Sequence, residues 1–237
     1  MQQQAQHQMM GYDRTSAMFS PDGRLLQVEY AKKTVKRGTV GIGIVYKDGV
    51  LFVADKWIND KLIVNSSVEK IFEIDEHIGA TAVGFVMDGR ILIEKAQLLA
   101  QQHRVTYDAP LDVLTLTKEI CNMKQFYTQY GGARPFGVSL LIGAVNQEPE
   151  LYVTDPAGIF FKYKATAVGE NETEIKEVLE KEYKESMSRE QALALAIKAL
   201  KAVLTKDFDI NRIDAASIDM ENKKFTRIER NIINKVK

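Results

Sequence analysis

Three residues of this chain have types and spacing that could do covalent chemistry: Thr39, Asp55 and Lys70, the last two lying 16 and 31 positions beyond the first. A threonine hydroxyl is a weak nucleophile until a base takes its proton, and a chain that begins with threonine carries such a base in its own α-amine. Cleavage between Gly38 and Thr39 would create that start. Other chemistries lack their residues. His7, His77 and His103 are scattered and Cys121 is the single cysteine, so no metal-ligand spacing and no internal disulfide is expected. Gly41-Ile42-Gly43 is too short for a nucleotide-binding glycine fingerprint and leads into a strand rather than a helix. The sequence therefore predicts no cofactor and no metal.

Composition excludes further classes. The 237 residues are 45% hydrophobic and 27% charged, enough to bury a real core. Lysine plus arginine balances aspartate plus glutamate at 32 each, so no global field favours nucleic acid or an anionic membrane. No apolar run approaches the ~20 residues of a membrane span. A lone cysteine fits a reducing, cytoplasmic setting. The glutamine-rich start, Met1 to Gln8, lacks the basic end and apolar centre of a secretion signal and reads as disordered. The expected division is a flexible tail over 1–11 and one domain over 12–237.

The elements that must position Thr39, Asp55 and Lys70 are legible as patterns. Ser20 suits a helix N-cap, Pro21 its first position and Asp22 its positive end; Leu25, Val28, Ala31 or Lys32, and Val35 then recur at helical spacing. Val40, Ile42 and Ile44 alternate with glycines, Lys47-Asp48-Gly49 signals a turn, and Val50 to Ala54 returns. Lys70 to Asp75 and Ile78 to Val86 read as a second pair, so four strands in a row are expected, largely antiparallel because their links are short. A helix pair follows, one with Ile91, Leu92, Lys95, Ala96, Leu98 and Leu99 on a face, the other with Val113, Leu116, Ile120, Met123 and Tyr127, stopping at Tyr130-Gly131-Gly132. Strands resume over Gly137 to Val145, Leu151 to Thr154, Ile159 to Tyr163 and Thr166 to Val168, with Asp155-Pro156-Ala157-Gly158 as a turn. Ile175, Val178, Leu179 and Tyr183 mark a helix, and Ser188 with Gln191 forms a capping box before another. Ala215 to Met220 and Lys224 to Ile228 close the chain. Two antiparallel sheets face to face, with a helix pair on each outer face, cover every apolar stripe: an α+β, four-layer αββα sandwich with an extra N-terminal helix.

Several stretches carry a family resemblance. Tyr12-Asp13-Arg14, Phe19-Ser20-Pro21-Asp22-Gly23-Arg24 and Gln27-Val28-Glu29-Tyr30-Ala31 resemble the N-terminal signature of proteasome α subunits. Asn65 to Ile71, Tyr127 to Gly132, Arg134 to Ser139 and Asp155 to Gly158 extend the likeness over essentially the whole chain, most closely to the archaeal form. The chain departs from the family pattern at Thr15 to Met18, at Val64 and at Met87-Asp88-Gly89, and Gln8 to Gly11 lengthen the approach to Tyr12.

The resemblance implies the αββα fold of the N-terminal-nucleophile hydrolases and a seven-membered α ring stacked on proteolytic β subunits. That ring gates the passage of unfolded protein and docks a regulatory AAA ATPase, with no nucleic acid or membrane partner. By resemblance Tyr12, Asp13, Arg14, Pro21 and Tyr30 form a gate cluster. Lys70, with Gly38 and Leu25, forms a pocket between neighbouring subunits for an activator's C-terminal carboxylate, on a tail ending in a hydrophobic-tyrosine-any pattern. Tyr130, Gly131, Gly132, Ala133, Arg134 and Pro135 form a pore annulus, whose glycines let the chain turn with positive φ. The apolar stripe of the first helix is expected to pack on the ring and its β layer.

Against that role stands Thr39, since its spacing to Asp55 and Lys70 is close to that of active relatives. Register weakens the rival. Active subunits resemble Thr-Thr-Thr-Val-Gly, and aligning Val40-Gly41 puts Arg37, not a threonine, at the nucleophile's place. Cleavage at Thr39 would also discard the Tyr12 to Ala31 signature. The expectation is a chain with no catalytic residue; an inert interaction protein is the broader alternative.

Overall fold

The computed structural model describes residues 10–58, 60, 62–205 and 208–236. Met1 to Met9, most of the expected tail, lie outside the described residues. Helix α1 (Leu26–Lys36) precedes strands β1 (Gly41–Tyr46), β2 (Gly49–Asp55), β3 (Ile71–Asp75) and β4 (Ile78–Gly84). Helices α2 (Val86–Tyr107) and α3 (Val113–Gln129) are followed by β5 (Val138–Val145), β6 (Pro149–Thr154), β7 (Phe160–Lys162) and β8 (Ala165–Val168). The chain continues through α4 (Glu172–Glu182), α5 (Arg189–Leu204), β9 (Ile213–Asp219), β10 (Phe225–Arg227) and a short α6 (Arg230–Lys235).

The strands form two five-stranded sheets, ordered β10-β9-β2-β1-β8 and β3-β4-β5-β6-β7, with antiparallel pairing throughout. Their inner faces meet through Val50, Phe52, Leu141, Leu151 and Ile218. Outside, α4 and α5 cover the first sheet through Ile175, Leu193, Ala196 and Leu200, and α2 and α3 cover the second through Leu92, Ala96, Leu116 and Ile120. This is the expected αββα sandwich.

Four local readings are corrected. The strands β1 to β4 do not run in one sheet: each hairpin keeps its tight turn, but segment 56–70 is long enough to cross from β2, central in one sheet, to β3 at the edge of the other. The first helix starts at Leu26, not after Ser20, because Ser20 to Arg24 closes a turn in which Gly23 adopts φ +75°, outside helical space. Ser20 Oγ accepts from Arg24 N at 3.1 Å, so its capping capacity serves that turn. Val86 belongs to α2, not to β4, and α6 has no counterpart in the sequence reading. Finally, the buried stripe of α1 is Leu26, Val28, Ala31 and Val35, and it is covered by this chain's own β4 and β5, with Val35 reaching the core between the sheets. The α1 helix is part of the domain, not an appendage waiting for a partner.

Candidate functional site

The link from α1 to β1 runs through Gly38 and Thr39, between the two sheets' ends. Gly38 is wedged there: a Cβ on it would lie 2.7 Å from the Gly84 amide nitrogen, and its carbonyl accepts from Glu170 N at 2.8 Å. Thr39 is half-buried and sits in mid-chain, its nitrogen bound in the peptide bond to Gly38. Arg37 is the exposed C-cap of α1.

Lys70 enters from the start of β3 and turns its ammonium inward. Its Nζ donates to the carbonyl and the Oγ1 of Thr39, and reaches the carbonyls of Val40 at 3.2 Å and Asp55 at 3.1 Å. All four acceptors are uncharged. The Asp55 carboxylate is engaged elsewhere: Arg212 Nε and Nη2 grip it at 2.9 and 2.6 Å, and the guanidinium lies 4.5 Å over the Trp57 ring. Burial pushes the Lys70 ammonium down to about 7; Asp55 pulls it back and Arg212 pushes it the same way as burial. Lys56, also buried, is spent on Asp214 at 2.7 Å and the Asn65 carbonyl at 3.0 Å.

Above this cluster opens a cavity of about 130 Å³, lined by Thr39, Trp57, Lys70, Phe72, Gly84 and Phe85 among others. Its apolar wall is interrupted by four charged side chains. Lys56, Glu69 and Arg90 are paired with Asp214, Arg227 and Glu94. The bonds of Lys70 go to uncharged oxygens, which leaves it as the cation suited to a chain end carrying a carboxylate. Of the three residues assigned to a docking pocket, Lys70 lines the cavity and Gly38 packs behind Gly84. Leu25 is half-buried just ahead of α1 and does not line it.

The residues assigned to a gate are partly gathered. Tyr30 Oη donates to Asp13 Oδ2 at 3.3 Å, and Gln27 Nε2 donates to the Asp13 carbonyl, so α1 holds the stretch before it. Tyr12 is half-buried, while Arg14 and Pro21 are exposed. The buried Ser16 donates to the Tyr130 carbonyl at 3.2 Å and so fastens this stretch to the loop read as a pore annulus. In that loop Gly132 takes φ +87° and Gly131 does not. Arg134 is drawn back onto Asp88 by bonds of 2.6 and 2.7 Å, and the same carboxylate accepts from Gly137 N at 2.7 Å. Burial raises the Asp88 carboxyl, but Arg134 and the Gly137 amide outweigh it and hold it below the usual range.

The comparisons with known proteins come down on one side. A family model for proteasome subunits matches residues 35–218, and one for the N-terminal signature of A-type proteasome subunits matches 12–33. This chain belongs to the proteasome α-subunit family. It is 47% identical over 219 residues to the proteasome α subunit of Archaeoglobus fulgidus, covering 92% of this chain and 89% of that one. To that of Methanosarcina thermophila it is 47% identical over 221 residues, covering 93% and 90%. To that of Pyrococcus horikoshii it is 46% identical over 225 residues, covering 95% and 86%. The α-subunit signature spans the turn at Ser20 and most of α1, the parts that hold Asp13 in place.

Sequence reasoning found Thr39, Asp55 and Lys70 but missed Arg212, which decides what Asp55 does; nothing local marks an arginine 157 residues away as its partner. It also missed Lys124, fully buried in α3, whose Nζ donates to the Val138 carbonyl at 2.9 Å and Thr154 Oγ1 at 2.7 Å. Burial pushes that ammonium down to about 8. Its position on the α3 face shared with Ile120 and Tyr127 was the available signal.

Proposed function

We propose that the chain is a non-catalytic α-ring subunit of the 20S proteasome core particle. It assembles as a heptameric ring on the proteolytic β subunits and gates the passage of unfolded protein. It docks the C-terminal tails of a regulatory AAA ATPase in pockets between neighbouring copies. One observation carries the non-catalytic reading: Thr39 lies in mid-chain behind α1, with Gly38 wedged against Gly84, and the carboxylate that an active threonine would need is held by Arg212.

In this reading Tyr12, Asp13, Arg14, Pro21 and Tyr30 set the gate position, and the Asp13–Tyr30 bond supports it. Residues Tyr130 to Pro135, repeated around the ring, border an opening that admits only extended chain. Lys70 meets the tail's carboxylate, with Gly38 and Leu25 shaping the surroundings. Among the described residues no helix is long and apolar enough to cross a membrane, and a cytoplasmic setting is the one that the family's task requires.

The close contact of Lys70 with Thr39 is the feature an active threonine enzyme would also show, so the test must separate the two. The chain is co-expressed with a β partner, and the intact mass of each protein is measured after assembly. A mass that retains the residues ahead of Thr39 is expected; a species beginning at Thr39 overturns the reading.

A further inference from the structure

The Lys70 cluster has an electrostatic defect. A buried ammonium normally has a carboxylate within reach, since uncompensated charge inside a protein is costly. Here the elements packed around Nζ offer only carbonyls and a hydroxyl. From the α1–β1 link come Thr39 and Val40, both uncharged; from β2 comes the Asp55 backbone. The charged groups nearby are each matched with another partner: Asp55 with Arg212, Lys56 with Asp214, Glu69 with Arg227 and Arg90 with Glu94. The net result is a cation facing a cavity, short of one negative charge.

Resting on the docking role given to Lys70 above, we propose that a carboxylate-ended peptide binds this cavity together with a proton: the ligand supplies the counter-ion that Lys70 lacks, and docking therefore depends on pH. The geometry requires this coupling. Without a ligand, desolvation favours the neutral amine, and Arg212 adds to the same push. With a carboxylate against Nζ, the ammonium is favoured and the proton is held more tightly. The depressed position of Lys70, about 7, sets where the coupling begins. Below it the lysine is charged with or without ligand, and affinity is flat. Above it the free site is neutral, each binding event must take up a proton, and affinity falls toward tenfold per pH unit.

The peptide partner is thereby defined by chemistry: an apolar side chain for the wall formed by Trp57, Phe72 and Phe85, and a free terminal carboxylate for the floor. An amidated end has no charge to offer and leaves the ammonium uncompensated.

The experiment uses the assembled α ring with its β partner and a short synthetic peptide ending Leu-Tyr-Ala, in free-acid and amidated forms. Affinity is measured from pH 6 to 9 by titration calorimetry, in two buffers of different ionisation enthalpy so that protons taken up are counted. Expected are flat affinity to about pH 7, a decline toward tenfold per unit above it, uptake approaching one proton per peptide at pH 8, and weaker binding of the amide throughout. Lys70→Arg, whose charge does not titrate, should bind the acid with a flat profile; if that variant does not assemble, the proton count on the unaltered ring decides. Normal acid binding with no proton uptake at pH 8 overturns the coupling and leaves the docking role standing. Absence of binding by the acid at every pH overturns the docking role itself, and the coupling with it.

Discussion

Replacing Arg212 by methionine would isolate what the buried carboxylate beneath the cavity costs. Asp55 is 2% exposed, and both its oxygens are taken by Arg212. Methionine keeps much of the stem volume but removes the charge, two hydrogen bonds and the cation over Trp57. Breaking one partner of a buried pair typically costs about 3–5 kcal/mol, because the other charge stays behind. The lost stacking adds roughly 0.5 kcal/mol at a ring half open to water. Lys70 offsets part of this: with the guanidinium gone, its downward push on the ammonium is lost while the pull of Asp55 remains, and Lys70 should move above its present value of about 7. A net loss of about 3 kcal/mol follows, or roughly 10 °C in Tm for a chain of this length. Urea unfolding at fixed chain concentration, with Arg212→Met, Asp55→Asn and the double variant, measures it. The double variant leaves no unpaired carboxylate at position 55 and should recover at least half the loss. A single-variant loss below about 1 kcal/mol, or a double variant no more stable than Arg212→Met, would refute the electrostatic account of this pair.

Two further expectations concern groups away from the cavity. Lys124 is held at about 8 in the fold against 10.5 in its ordinary state, so between those values the unfolded chain binds the extra proton. Stability should therefore rise with pH in that window by up to ~1.4 kcal/mol per unit, about 3 kcal/mol in all. Lys70, held at about 7, adds a rise of the same sign, so Lys124→Met should lower the slope by Lys124's share; parallel pH profiles for the two proteins would sink the assignment. At the turn after β6, Asp155 Oδ1 accepts from the amides of Ala157 and Ile159 at 2.9 Å each, while Oδ2 pairs with Lys32 of α1 at 2.9 Å. Asp155→Asn keeps the turn and loses a partly exposed pair, for less than about 1 kcal/mol. Asp155→Ala leaves both amides without their acceptor and should lose about 2 kcal/mol in thermal unfolding; equal losses for the two variants would contradict this division.

By itself the sequence determined whatever depends on neighbours along the chain. The period-two runs at Val40 to Ile44 and Val50 to Ala54, closed by Lys47-Asp48-Gly49, could only pair as a hairpin, and they do in the register Gly41 to Ala54. Ser188 and Gln191 form the reciprocal cap that their spacing announces, because both bonds are made within one turn. The proteasome α-subunit signature is likewise a local pattern, readable before any fold was drawn. Tertiary structure alone decided which sheet each hairpin joined, since segment 56–70 is long enough to stay or to cross and its composition does not choose. It also decided that α1 is covered by β4 and β5 of its own chain, a matter of where an amphipathic face lands rather than of its periodicity. The same holds for the three residues that could do chemistry. Their spacing brought Thr39, Asp55 and Lys70 into view; only the fold delivered Arg212 from the far end of the chain to take Asp55. That leaves Lys70 bonded to uncharged oxygens, a buried cation without a counter-ion, since electrostatics acts through space and not through sequence.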